Sequence, residues 1–309
     1  MTVFTLLLNV GRLAPPRLRR RVQRLPLARQ LYERAALAAR YERVFGRPPN
    51  LRNPVTFNEK TVFKILFDRL PILTRLADKL QARDYVAERI GAGYLTELYQ
   101  VCQSAAEIDW DRLPNRFALK TNHGNAMNVL VADKTKVDVA QVSRRLDAWL
   151  ATNPYDYSQE WCYRNIRPAI LVEELLTDKD RVTPIDWKFF TYDGRAQFVQ
   201  VDIDRFTGQK RNYYDRRLRR QPFRGRNPNA PDDPKFPDNI DVMFSLSDRL
   251  GAGLDFIRVD MYNLGGRIVF GEFTNYAAGG LEPFDPPEFD EVYGAKWRWP
   301  PDYSHGSLR

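Results

Sequence analysis

Asp260 and Glu272, two carboxylates in the stretch from Phe256 to Phe273, are the residues of this chain best placed to do chemistry. Phe256, Arg258, Asp260 and Tyr262 alternate with Ile257, Val259 and Met261. A period-two strand therefore turns the second set to a core and leaves Arg258 and Asp260 facing a cleft. The turn through Asn263-Leu264-Gly265-Gly266 decides which face Glu272 joins. A two- or four-residue loop sends it to the core face. A three-residue loop, Leu264-Gly265-Gly266 closed by a left-handed glycine, sets it across from Arg258 and diagonal to Asp260, and that is the expectation taken here. Two carboxylates at that distance repel unless a cation lies between them, and hard oxygen ligands favour magnesium. The competing reading is a surface hairpin with an Arg258–Glu272 ion pair, a contact worth little.

Such a cleft needs lobes to form it, and 309 residues that are 43% hydrophobic and 13% aromatic suffice for two or three. No apolar run approaches the roughly 18 residues of a membrane-spanning helix, and the mean hydropathy is −0.52. The apolar run Val3–Val10 precedes the arginines, the wrong order for a secretory signal, so it is expected to stay uncleaved. Cys102 and Cys162 make no disulfide framework, which suits a reducing, cytoplasmic compartment. With His123 and His305 the only histidines, a zinc site is not expected.

A net charge of +9 implies anionic partners, and the charge is concentrated in two clusters. Arg17, Arg19, Arg20, Arg21 and Arg24 suit either a helix lying peripherally on the anionic inner face of a membrane or a solvated basic helix. From Arg205 through Lys210, Arg211, Arg216, Arg217, Arg219, Arg220, Arg224 and Arg226, basic residues interleave with Tyr213, Tyr214 and Phe223, a pattern suited to polyanions. The aromatic spacing fits no named RNA-binding module, so nucleic acid is not the expected partner; an acidic substrate or phosphate is.

Residues 1–46 read as a basic helical segment. After Arg47-Pro48-Pro49-Asn50, Thr56 and Glu59 form a capping box for a helix carrying Val62, Ile65 and Leu66. A further helix is expected from about Pro71 to a stop near Gly91, with Asp78-Lys79 inside it. Strands are expected at Arg116–Lys120, Val129–Val131, Ala169–Glu174, Asp186–Tyr192 and Gln197–Asp202, helices at Val139–Leu150 and Ile240–Leu250, and a long loop over 205–239. This order predicts an α+β arrangement of antiparallel sheets backed by helices. Lys120 precedes a small-residue loop, TNHGNAMN, that holds His123, Gly124 and Asn125. Glu173 and Glu174 point to opposite faces of their strand, so one meets a ligand and the other solvent or a lysine. Lys188 faces away from the Trp187/Phe189 core, toward either a phosphate or an ion pair. Asp202 and Arg205 flank a strand end where either a substrate or an ion pair would explain them.

The segments TFNEK, LADKLQARDYVAERIGAGYL, LKTNHGN, WKFFTYDG, RVDMY and GEFT resemble the ATP-grasp ligases, and more closely the family of ATP-grasp proteins related to the teichuronopeptide biosynthesis protein, from about residue 46 onward. The resemblance implies an ATP-grasp fold: a helical region at 47–115, a nucleotide-binding lobe at 116–175 and a metal- and substrate-binding lobe at 176–309, with ATP between the lobes. It implies that Lys79, Lys120, His123, Gly124, Asn125, Glu173, Glu174 and Lys188 bind ATP, that Asp260 and Glu272 hold Mg2+, and that Arg258 stabilises the transferring phosphoryl group. Asp202, Arg205, Arg211 and Asn275 are the expected substrate contacts. The implied activity is carboxylate–amine ligation through an acyl phosphate, on an acidic sugar or polymer acceptor and an amine or amino acid, in cell-surface polysaccharide biosynthesis. The rivals are a glycosyltransferase or kinase of that pathway and a non-catalytic polyanion-binding module. Two departures from the family pattern stand out. Thr274 occupies the position two beyond Glu272 where an asparagine is usual, with Asn275 next to it, and Asn125-Ala126 occupies a loop where relatives carry a second glycine.

Overall fold

The Thr56/Glu59 pair starts a helix as its spacing predicts. The Thr56 hydroxyl accepts from the Glu59 amide at 3.1 Å and Glu59 Oε2 accepts from the Thr56 amide at 3.3 Å, a box worth about 1 kcal/mol. The computed structural model describes residues 26–178, 184–204 and 208–298. The basic cluster at Arg17–Arg24 and the expected substrate contact Arg205 lie outside them. Helix α1 (Pro26–Phe45) comes first, and the capped helix is α2 (Phe57–Phe67). The single helix expected from Pro71 is two, α3 (Pro71–Ala77) and α4 (Lys79–Ile90). Between them Asp78 is extended, and its carboxylate accepts from the Leu80 amide at 3.0 Å. An aspartate that caps the next helix competes with continuing the previous one.

A four-stranded antiparallel sheet follows, in the order β1-β4-β2-β3, from β1 (Leu98–Cys102), β2 (Phe117–Thr121), β3 (Asn128–Val131) and β4 (Ile170–Glu173). Strand β1 has no counterpart among the expected strands and extends this sheet into the region read as helical. Phe117, Leu119, Val131, Ile170 and Val172 pack on Leu146 of α5 (Val139–Leu150). The opposite face carries Lys120, Leu171 and Glu173. A short α6 (Tyr155–Ser158) and a 3-10 turn at Trp161–Tyr163 lead from α5 to β4.

The second sheet, ordered β7-β6-β5-β8-β9, comprises β5 (Asp186–Tyr192), β6 (Arg195–Ile203), β7 (Lys210–Asp215), β8 (Phe256–Leu264) and β9 (Arg267–Thr274). Strand β7 lies within the expected 205–239 loop; its dense charge hid the alternation by which Tyr214 enters one core and Tyr213 the other. One face, with Trp187, Phe189, Val199, Ile257, Val259 and Met261, packs on α4 and α7 (Ile240–Gly251). The other is divided. Phe190, Phe198, Tyr213 and Phe256 pack with Phe57 and with Tyr293 of α8 (Glu288–Lys296), while Lys188, Gln200, Arg258 and Asp260 make a polar floor. The architecture is α+β, as expected. No helix among the described residues is long and apolar enough to cross a membrane.

The β8–β9 turn differs from the expectation. Leu264 pairs with Arg267, so the loop is the two-residue Gly265-Gly266, with φ of 60° and 99°. Both central residues at positive φ is the hairpin geometry that matches strand twist. Left alone, that loop would put Glu272 on the core face. A bulge corrects the phase: Met261 pairs with Phe270 and Asp260 with Glu272, leaving Gly271 unpaired. A Cβ on Gly271 would lie 3.0 Å from the Tyr262 ring and 3.1 Å from the Asp260 carbonyl oxygen, so glycine is what the bulge accommodates.

Candidate active site

The two sheets and the α3–α4 corner line a cavity that opens to solvent. Leu76, Ala82, Leu95, Leu171, Phe270 and Phe273 supply its apolar lining, and Lys79, Lys120, Asn125, Glu173 and Glu272 supply charge and hydrogen-bonding capacity. A concave site that combines apolar side chains with convergent polar groups suits a small molecule.

Lys79 reaches the cavity because Asp78 breaks the helix there. Asn122 fixes that corner: its carbonyl accepts from the Lys79 amide at 2.9 Å and its Nδ2 donates to Asp78 Oδ1 at 2.9 Å. Its Oδ1 accepts from the Ala169 amide at 2.7 Å. Lys79 Nζ donates to the Gly124 carbonyl at 2.5 Å. Burial lowers the Lys79 pKa against the pull of Glu272 and Glu173. Lys120 pairs with Glu173, whose other oxygen accepts from the Thr96 hydroxyl at 2.9 Å and lies 3.6 Å from Arg83. Glu174 instead pairs with Arg267 at 2.5 and 2.7 Å, clasping the end of the first sheet to the second.

Asn125 lines the cavity and accepts from the Tyr163 hydroxyl at 3.1 Å. His123 does not line it. Buried, His123 donates from Nε2 to the Thr152 carbonyl at 2.9 Å, and burial lowers its pKa, so the ring is neutral near pH 7. Ala126 stands at φ 58°, in the left-handed region that favours glycine.

On the second sheet, Arg258 grips Asp260 through two bonds of 2.7 Å, and Lys188 donates to Asp260 Oδ2 at 2.9 Å while lying 3.1 Å from Asp186. Burial alone would raise the Asp260 pKa, but Arg258 and Lys188 outweigh it and hold the carboxyl well below the usual range. Glu272, directly across from Asp260, keeps a longer contact of 3.8 Å to Arg258 and opens into the cavity. The expected geometry, with Glu272 opposite Arg258 and diagonal to Asp260, is thus reversed. Among the described residues no three His, Cys, Asp or Glu side chains cluster as a ready metal site. Two carboxylates nevertheless fit magnesium, which takes one or two protein carboxylates and completes its shell with phosphate oxygens and water. Asp260 has used three of its roughly four acceptor sites, and Glu272 is open.

Farther along the same face, Arg211 binds Asp202 at 2.6 and 3.1 Å and Glu282 at 2.8 Å, away from the cavity. Asn275 donates to the Leu73 carbonyl at 2.9 Å, and its Oδ1 is buried without a partner. The basic run is largely self-satisfied. Arg216 pairs with Asp248, Arg219 with Asp215, Arg220 with Asp233 and Arg224 with Asp285. Tyr213, Tyr214 and Phe223 are buried, so none of them is free to stack on a base.

Arg83, Tyr163 and Phe270 went unnoticed in the sequence, and Asn122 was read only as part of the TNHGNAMN loop. Arg83 lies four residues after Lys79 on a helix, a spacing that puts both on one face and could have flagged it. Tyr163 arrives through an irregular turn with no periodic signal.

The TupA-like ATPgrasp family model matches residues 59–298. No curated protein matches the chain significantly. Among solved structures, the chain is similar to the D-alanine–D-alanine ligase from Bacillus anthracis complexed with ATP, at 13% identity and a TM-score of 0.39, over 66% of this chain and 56% of that one. An L-amino acid ligase from Bacillus licheniformis matches at 11% identity and 0.43, over 72% and 49%. The ATP-grasp ligase PsnB complexed with minimal precursor matches at 12% and 0.39, over 67% and 55%. The match thus spans about half the length of these structures.

Proposed function

This chain belongs to the TupA-like ATP-grasp family, and from that premise we propose that it is a magnesium-dependent carboxylate–amine ligase that works through an acyl phosphate. The observation that carries the reading is the cavity between the sheets, with Lys79, Lys120 and Glu173 on one side and Glu272 on the other. Leu171, Leu95 and Phe270 would take the adenine, and the two lysines would meet phosphate oxygens as point charges. Glu272 and the remaining acceptor site of Asp260 would hold Mg2+, which would neutralise charge on the phosphates. Arg258, fixed by Asp260, would face the phosphoryl group in flight. A substrate carboxylate oxygen attacks the terminal phosphorus, the bond to ADP breaks, and an amine then displaces phosphate from the acyl carbon to give an amide.

The acceptor we propose is an acidic sugar or polymer of the cell surface. The support is the polar floor carrying Lys188 and Arg258, cations suited to a carboxylate acceptor. Calorimetry of Mg-ATP binding tests the core of the reading. Tight binding by the intact protein is expected, weakened at least tenfold by Asp260→Asn and by Lys120→Ala, followed by ADP release with a mixture of uronic acids and amino acids. No binding by the intact protein overturns the reading.

A further inference from the structure

Asn125 and Tyr163 both line the cavity, and Asn125 is held differently from its neighbours in the loop between β2 and β3. The Thr121 and Asn122 amides donate to the Met127 and Ala169 carbonyls at 3.1 and 3.0 Å. The Gly124 carbonyl accepts from Lys79, and a Cβ on Gly124 would stand 2.9 Å from Met127 Sδ and 3.2 Å from Pro154, so the loop is closely packed there. Asn125 is exposed, and Ala126 at positive φ follows it. Among the described residues the Asn125 side chain makes one hydrogen bond, in which Oδ1 accepts from the Tyr163 hydroxyl at 3.1 Å. That bond takes the oxygen end of the amide and leaves both Nδ2 protons for a ligand.

Tyr163 is itself firmly placed. It ends the Trp161–Tyr163 turn, which the Arg164 amide closes by donating to the Trp161 carbonyl at 3.1 Å. The guanidiniums of Arg69 and Arg164 lie over the Trp161 ring at 4.4 and 4.8 Å. Arg69 stands just beyond α2 and donates to the Ile65 and Leu66 carbonyls that end it, so the turn is tied to a capped helix. Burial pushes the Tyr163 pKa well up, and the hydroxyl keeps its proton as a donor. The charge of Glu272 acts on both Tyr163 and Lys79, and Lys79 bonds Gly124 beside Asn125. These groups therefore share the end of the cavity into which Glu272 opens.

We propose that Tyr163 is a positioning residue for the terminal phosphates of the nucleotide: its hydroxyl orients the Asn125 amide so that Nδ2 donates to a phosphate oxygen. The role rests on the nucleotide reading of the cavity. An exposed asparagine rotates freely, and turned end for end it would present a carbonyl oxygen, which repels an anion. The bond from Tyr163 selects the donor end before the ligand arrives, so less side-chain freedom is lost on binding. Lys79 supplies charge without direction, and the oriented amide adds direction.

Calorimetry with Mg-ATP and with AMP, on the intact protein, Tyr163→Phe, Asn125→Ala and the double variant, tests the role. Tyr163→Phe keeps the ring and loses the hydroxyl, so Mg-ATP affinity should fall at least fivefold and AMP affinity less than twofold. Asn125→Ala should show the same selective loss. Because Tyr163 acts through Asn125, adding Tyr163→Phe to Asn125→Ala should change Mg-ATP affinity by less than twofold. Unchanged Mg-ATP affinity in Tyr163→Phe, equal losses for Mg-ATP and AMP, or additive losses in the double variant overturn the proposal. If Tyr163→Phe does not fold, Asn125→Asp decides. It keeps an oxygen for Tyr163 but has no side-chain N–H, so Mg-ATP affinity should fall at least tenfold and AMP affinity less than threefold; unchanged Mg-ATP affinity overturns the proposal. An intact protein that binds Mg-ATP no more tightly than Tyr163→Phe loses this role alone. One that binds Mg-ATP as expected but releases no ADP with acids and amines loses the ligase reading alone, and one that binds no nucleotide loses both.

Discussion

Single residues set the behaviour of the loop that joins β2 to β3. Ala126 holds a left-handed conformation that costs a non-glycine residue about 1–2 kcal/mol. Glycine would remove that strain but add unfolded-state entropy of about 0.4–1 kcal/mol, so Ala126→Gly should leave stability nearly unchanged. Ala126→Val, β-branched at the same φ, should cost a further ~1–2 kcal/mol in urea unfolding. Equal midpoints for the two variants would show the loop to be unconstrained. His123 offers a pH test. Its folded pKa is lowered by burial, so the unfolded chain takes up the proton first as pH falls below the ordinary histidine value of about 6.5. The His123 contribution is therefore complete above that pH and is lost on acidification. Unfolding free energies at pH 7.5 and 5.5 should fall more steeply for the intact protein than for His123→Asn, even though the variant, lacking the bond to Thr152, starts lower.

At the scale of elements, the β8–β9 hairpin shows how a turn and a bulge together determine a site. The alternation of Ile257, Val259 and Met261 made the strand legible, and the acidic pair with it. The sequence did not reveal whether two glycines or three residues closed the loop. Two do, and Gly271 supplies the compensating offset that returns Glu272 to the face of Asp260. Gly271→Val should force the Tyr262 ring or the β8 backbone to move, destabilising the protein by about 1–3 kcal/mol in chemical unfolding. The same variant should weaken Mg-ATP binding far more than it lowers stability. A substitution that lowers stability but leaves nucleotide affinity intact would mean the bulge has no part in placing Glu272. The α3–α4 break tells a similar story, since Leu73, Leu76 and Leu80 keep helical spacing across Asp78 and only the cap reveals the corner that turns Lys79 into the cavity.

Across the whole molecule, buried ion pairs hold the last helix to the rest. Lys64 of α2, fully buried, donates to Asp68 at 2.8 Å and Asp255 at 2.5 Å, and Asp255 accepts from the Trp297 indole at 3.1 Å. Lys60 adds bonds of 2.7 Å to the Gly294 and Trp297 carbonyls. Lys64→Met leaves two carboxylates without their cation and should cost about 3–5 kcal/mol in thermal or denaturant unfolding, since removing one partner of a buried pair strands the other. A loss under 1 kcal/mol would show that α8 is held by its aromatic contacts alone. What the sequence determined by itself was local: the alternation that makes strands, the Thr56/Glu59 cap, and a family pattern that marked Lys79, Lys120, Asn125, Glu173 and Glu272, which line one cavity. Those signals are local because periodicity, capping and turn chemistry act over a few residues. The tertiary structure alone decided which charges are spent and which remain open. Lys188 and Arg258 neutralise Asp260, Glu174 clasps Arg267 and the basic run largely pairs with its own acids, while Glu272 stays available. Most of these pairings join residues far apart in the chain, and whether a charge is available depends on which opposite charge and how little water the fold brings beside it.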